Sequence, residues 1–327
     1  MARRTPAPEV PIARHDGCLQ AGFDPLRHYA GHTAVTDPGR FSSHLDGLPD
    51  DVDGMIGVVR NVLAHIRSDG PLLDSTASES RRDEVDSRGV EKMLAGIFRL
   101  DPSQLATPRP VPRRLLATCR DFSVLLCAMM RHKGVAARVR FGFTRLYYQP
   151  ALPLHDHVLT EYWSGDAWLL AECRLHACPI APRGIWQGDM PRTMFLSGAQ
   201  AWRSIRSGDR DARMFSGLRY DRDMGQRNVR KLLMFDAAAL AGNEPLLWDR
   251  WDGRPFDKFE RKKYGAREQS RLFDELASFD PAVAADCARL IETFASRMDK
   301  LAAPASQPFI AARQARGAGV HLPRRGR

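Results

Sequence analysis

Thr118-Cys119-Arg120-Asp121-Phe122-Ser123-Val124-Leu125-Leu126 is where a buried helix begins, and its second residue is a thiol. From Cys119 to about Lys133 the residues are apolar nearly all round. Phe122, Leu125, Leu126 and Met129 form the main face, with Val124, Cys127 and Met130 beside them. A helix of that kind belongs in the middle of a fold. Gly134 is placed to cap its C-terminus. At the other end, the first helical amides lack internal partners, and with the helix dipole they favour a thiolate there. Cys119 is therefore a candidate nucleophile. The competing reading is a buried structural cysteine, since free cysteine is among the most buried residue types.

Further along, His155-Asp156-His157-Val158-Leu159-Thr160-Glu161-Tyr162-Trp163 reads as a strand, Ser164-Gly165-Asp166 as a turn, and Ala167 to Cys173 as a second strand. With residues 163 to 166 as the loop, Tyr162 faces Ala167 and His157 lies directly across from Glu172. Side chains so paired share a face, with Cβ atoms about 5 Å apart, and an imidazole and a carboxylate can then hydrogen-bond. A slip of one residue would put Glu172 on the opposite face. Cysteine acyl transfer needs these three groups: a sulfur nucleophile, an imidazole to take and return its proton, and an acid to orient the imidazole. The candidate catalytic residues are Cys119, His157 and Glu172. His155 also falls on the His157 face of a regular strand and is the alternative base.

As an ordered set these residues resemble the transglutaminase-like superfamily. Cys119-Arg120-Asp121-Phe122, the apolar helix, and Gly134-Val135-Ala136-Ala137-Arg138 are similar to its nucleophile helix and following strand. His157 with Glu161 is similar to its His-x-x-x-Glu strand, and Trp168 with Glu172 to its Trp-x-x-x-Asp strand. The similarity covers about residues 112 to 175. It implies an α+β, papain-like core, with the nucleophile helix packed on an antiparallel sheet and further helices C-terminal to it. It also implies cysteine chemistry without a cofactor. Two positions depart from the pattern: Glu172 stands where the family has Asp, and Ala136 where Pro is usual. Asp37-Pro38-Gly39-Arg40-Phe41 and Asn243 to Trp251 are similar to segments of a bacterial transglutaminase-like group.

Around this core, Val52, Met55, Ile56, Val59, Val62, Leu63 and Ile66 predict a helix over 52–67, and Val90, Met93, Leu94 and Ile97 a second over 88–100. The polar segment 68–89 reads as loop. Pro108, Pro110 and Pro112 give an extended approach to Cys119. Residues 135–148 alternate, with Val139, Phe141 and Phe143 against Arg138, Arg140 and Gly142, as a strand with one exposed face would. Helices are expected at about 195–206, 228–241, 268–278 and 281–301, the last starting at Asp280-Pro281 with Pro at its first position. The expected organisation is an unstructured arm over 1–20, a catalytic core over 21–185, a helical part over 186–301 packed on it, and a disordered basic tail over 302–327.

With 327 residues, 43% of them hydrophobic, the chain can bury a sizeable core. No apolar run is long enough to span a membrane, and the N-terminus lacks the apolar stretch of a secretory signal, so a cytoplasmic enzyme is expected. The six cysteines lack zinc-site or disulfide spacing. Cys173-x4-Cys178 around His176 is the nearest approach to a metal motif, but no metal is expected. The net charge of +10 favours an anionic partner. Nucleic acid, an anionic membrane surface and an acidic protein such as an acyl carrier protein all fit, with nucleic acid disfavoured; an arginine-rich composition alone would give the same charge. Arg120 and Asp121 read as structural, and Tyr147, Tyr148 and Trp163 as core or pocket wall.

The leading function is amide-forming acyl transfer in a biosynthetic pathway, from a small-molecule or carrier-bound donor to an amine. Hydrolysis by a cysteine peptidase or amidase is the runner-up, and a non-catalytic binding module is the alternative of another class.

Overall fold

The computed structural model of the chain describes residues 22–67, 69, 80–144, 154–174, 188–217, 224–251, 254–255 and 266–298. The arm over 1–20, the tail over 302–327, Tyr147, Tyr148, Cys18, His176 and Cys178 lie outside them. Among the described residues no helix is long and apolar enough to cross a membrane.

Among the described residues, α1 (Pro25–Ala30), α2 (Val52–Val62) and α3 (Val90–Leu100) precede the nucleophile segment. Asp51 caps α2 by accepting the Gly54 N–H at 2.7 Å. α2 stops at Val62, short of the expected residue 67. Leu63–His65 form strand β1, which pairs in parallel with β2 (Leu115–Ala117). Leu63 and Ile66 keep helical spacing, but hydrogen bonding to a strand far along the chain overrides it.

β2 leads through Thr118 into α4 (Cys119–His132), in which every residue but His132 is buried. The Asp121 carboxylate accepts from the Thr118 N–H at 2.8 Å and the Thr118 hydroxyl at 2.9 Å, which ties down the helix start. The far end closes in a Schellman motif. Gly134 has φ +77°, its N–H reaches Arg131 O at 3.0 Å, and the Val135 N–H reaches Met130 O at 2.9 Å.

The main sheet is mixed helix and strand in its surroundings and antiparallel at its centre. β3 (Ala137–Thr144) pairs antiparallel with β4 (Leu154–Trp163), β4 with β5 (Trp168–Ala171), and β3 on its other side with β6 (Phe195–Ser197). A short β7 (Phe215–Ser216) adds in parallel to the start of β4. The expected exposed face of β3 does not exist, because all eight of its residues are buried. Its arginines are covered and neutralised instead of solvated. Arg138 and Arg140 donate to Glu161 at 2.8 and 2.6 Å, and Arg140 also forks onto Asp236 with two bonds of 2.9 Å.

Asp236 belongs to α6 (Gly225–Leu240), which packs on the sheet with α5 (Gly198–Arg206); α7 (Ala266–Ser278) packs against both of these helices and α8 (Ala284–Met298) against α6. Their apolar residues join one core with the nucleophile helix and the sheet. The last helix starts at Ala284 and not at Pro281. Residues Asp280 to Val283 form a turn, with Ala282 N–H on the Asp280 side chain at 2.9 Å, and Val283 is half exposed.

Candidate active site

The first turn of α4 carries Cys119 to the junction of helix and sheet, and α4 is pinned to the histidine strand through one hydroxyl. Ser123 Oγ lies 2.9 Å from both Cys119 O and Val158 O, while Thr160 Oγ1 donates to Ser123 O at 3.0 Å. Val158 is the neighbour of His157. The linkage therefore fixes the helix against β4 beside both the thiol and the ring.

The hairpin has a different register from the expected one. Trp163 pairs with Trp168 and Thr160 with Ala171, so the loop is residues 164–167. Continuing that ladder places Glu172 beside Leu159 and not across from His157. The displacement is two residues, which preserves the face. Glu172 Oε2 still hydrogen-bonds His157 Nε2, on the diagonal. The Cys119 side chain lies beside the ring, near enough to favour its charged form. The three residues named from the sequence thus converge. His155 goes elsewhere: its Nδ1 meets Ser216 Oγ at 3.0 Å, and burial with Arg67 nearby lowers its pKa.

The electrostatics follow from burial and partners. Burial alone would discharge His157. The Glu172 carboxylate and the Cys119 side chain outweigh it and raise the ring from 6.5 to about 10. Burial likewise acts to raise Glu172, but His157 and then Arg174 bring it below its usual value. The Arg174 N–H also donates to Glu172 Oε1 at 2.5 Å. Cys119 is 8% exposed, whereas His157 and Glu172 are each 2% exposed, so Cys119 is the most exposed residue of the three.

Further residues support these three, and of them Arg60, Arg88 and Arg192 gave no signal in the sequence. Arg60 of α2 donates from Nε to Cys173 O at 2.6 Å and so braces the chain just after the acid. Arg120 is fully buried; it pairs with Asp121 at 3.1 Å and donates to Glu244 O at 2.8 Å. The Asn243–Trp251 segment is thereby docked under the start of α4. Asp249 accepts both nitrogens of Arg88 as well as the Leu246 N–H. Glu161 is held by Arg138, Arg140 and Arg192, so its role is to organise buried charge. Trp163 stacks edge-on with Trp168 at 5.8 Å.

The other described cysteines, Cys127, Cys173 and Cys287, are buried and unbridged. Burial pushes Cys127 up to about 12, and Cys173 and Cys287 upward as well. Among the described residues no group of His, Cys, Asp or Glu has the arrangement of a metal site.

No curated protein and no solved structure gives a significant match to the chain. A family comparison does, over the segment that holds the sulfur, the ring and the acid. Residues 99–173 match the model of the transglutaminase-like superfamily, in general a papain-like cysteine enzyme family.

Proposed function

We propose that this protein is a cysteine acyltransferase that forms amides through an acyl-thioester on Cys119. The observation that carries the reading is the His157 ring, hydrogen-bonded to Glu172 and with its charged form favoured by the adjacent Cys119 side chain. In the first step Sγ bonds to the carbonyl carbon of an amide or thioester, and the π electron pair moves onto oxygen. The oxyanion collapses, the bond to the leaving amine or thiol breaks, and that group leaves with the proton held by His157. An amine then attacks the thioester carbon, gives its proton to His157, and releases Cys119. Glu172 keeps the ring oriented and stabilises its charged form.

Water in place of the amine would make the same site a peptidase or amidase. The basic charge of the chain supports an acidic, carrier-bound donor over a free peptide. A binding module without catalysis has no use for a buried Cys-His-Glu contact.

The test is intact-protein mass spectrometry of wild type and Cys119→Ala with carrier-bound acyl thioesters and small amides. An adduct on wild type alone, discharged faster by amines than by water, supports the proposal. Discharge by water alone favours the hydrolase, and no adduct from any donor defeats both.

A further inference from the structure

A tetrahedral oxyanion in a buried site needs at least two donors, and the backbone N–H of Cys119 supplies one as a first-turn amide. The parallel pairing of β1 with β2 brings a second candidate to the same place. His65 is the Cα partner of Ala117, two residues before the nucleophile, and the Ile66 N–H donates to Ala117 O at 2.9 Å. The His65 ring lies 6.3 Å from that of Phe122, on the first turn of α4. The strand that lines the approach to Cys119 therefore carries an imidazole beside the helix start.

Its chemistry suits the task. His65 Nδ1 accepts the Arg67 N–H at 3.2 Å, and a neutral ring accepting there carries its proton on Nε2. The ring is 5% exposed. Burial foremost, then the positive charges of Arg174 and His157, hold it well below its ordinary pKa and hence neutral. A neutral N–H donor stabilises the oxyanion without competing with His157 for the proton.

We propose that the Nε2–H of His65 is the second oxyanion donor, acting with the backbone N–H of Cys119. The assignment rests on the acyl-transfer reading, and the experiment separates the two. Wild type, His65→Leu and His65→Gln are treated with a panel of acyl N-acetylcysteamine thioesters, which acylate through an oxyanion. In parallel they are treated with iodoacetamide, which alkylates sulfur without forming one. In His65→Leu, acylation of Cys119 should slow about 100- to 1000-fold while alkylation stays within about threefold of wild type. His65→Gln, which keeps an N–H donor, should recover at least about tenfold of the loss.

Equal slowing of both reactions assigns His65 a structural role and overturns the proposal, as does unchanged acylation. Absence of any acyl adduct on wild type overturns the acyl-transfer reading and this assignment with it. If the leucine variant does not fold, His65→Phe repeats the comparison with a ring that lacks the donor.

Discussion

Glu172 reaches His157 on the diagonal of the β4–β5 hairpin, two residues along β4 from the position directly across. Diagonal neighbours in an antiparallel pair are about 7–8 Å apart and within reach of long side chains only. The extra methylene of Glu therefore spans a gap that Asp at this register would not. Glu172→Asp should behave nearly as badly as Glu172→Gln, each lowering the rate of Cys119 acylation about 100- to 10,000-fold. Retention of near wild-type activity in Glu172→Asp would show that the hairpin shifts to suit the shorter acid.

The same pair sets a pH dependence of stability. His157 is raised in the folded state from 6.5 to about 10, so its contribution is complete below about 6.5 and is lost as the pH rises through about 10. Glu172 is depressed, so its contribution is present above its unfolded value, about 4.3, and is lost as the pH falls through the lower folded value. The difference in melting temperature between wild type and Glu172→Gln should then be widest near pH 5–6.5 and shrink toward pH 10. Thermal unfolding followed by circular dichroism across that range measures it, and a gap that widens with rising pH would refute the assignment.

The nucleophile helix was readable because each local signal agreed: an apolar surface all round, Thr118 and Asp121 at its start, and Gly134 with positive φ at its end. The His–Glu contact was legible for a different reason. The expected register was wrong by two residues, yet strand alternation has period two, so the face was preserved. What could not be read locally depended on distant partners. Arg138 and Arg140 alternate as solvated residues do, and only the arrival of Asp236, 96 positions after Arg140, shows that they are buried. The end of α2 was misplaced because its competing partner, β2, lies 52 positions on. His65, inside that misread stretch, was passed over as a helical residue.

The buried cluster of Arg138, Arg140 and Glu161 gives a stability test. Glu161 is 1% exposed, and the arginines around it hold its carboxyl well below the usual range. Glu161→Ala removes the counter-charge and leaves guanidinium groups buried, at a cost of about 3–5 kcal/mol. Pairing it with Arg138→Leu should recover part of that loss, because the uncompensated charge is removed too. Urea unfolding of the two single variants and the double variant measures the coupling. Strictly additive losses would mean that the two side chains do not interact.

Ser123 and Gly142 hold β4 from its two sides, the first through α4 and the second through β3. Gly142 is the Cα partner of both His157 and Ser197, and a Cβ placed on it would lie 2.1 Å from Leu196 O. Backbone cannot yield as a flexible side chain can, so Gly142→Ala must push β6 away from β3. It should cost about 1–3 kcal/mol or more and, because the substituted residue sits opposite His157, slow acylation of Cys119 as well. Ser123→Ala removes only a hydroxyl and should cost about 1 kcal/mol, with a smaller effect on rate. Urea midpoints and single-turnover acylation rates for both variants decide the order. A milder effect from Gly142→Ala than from Ser123→Ala would mean that the β3–β6 contact has slack and does not position the histidine strand.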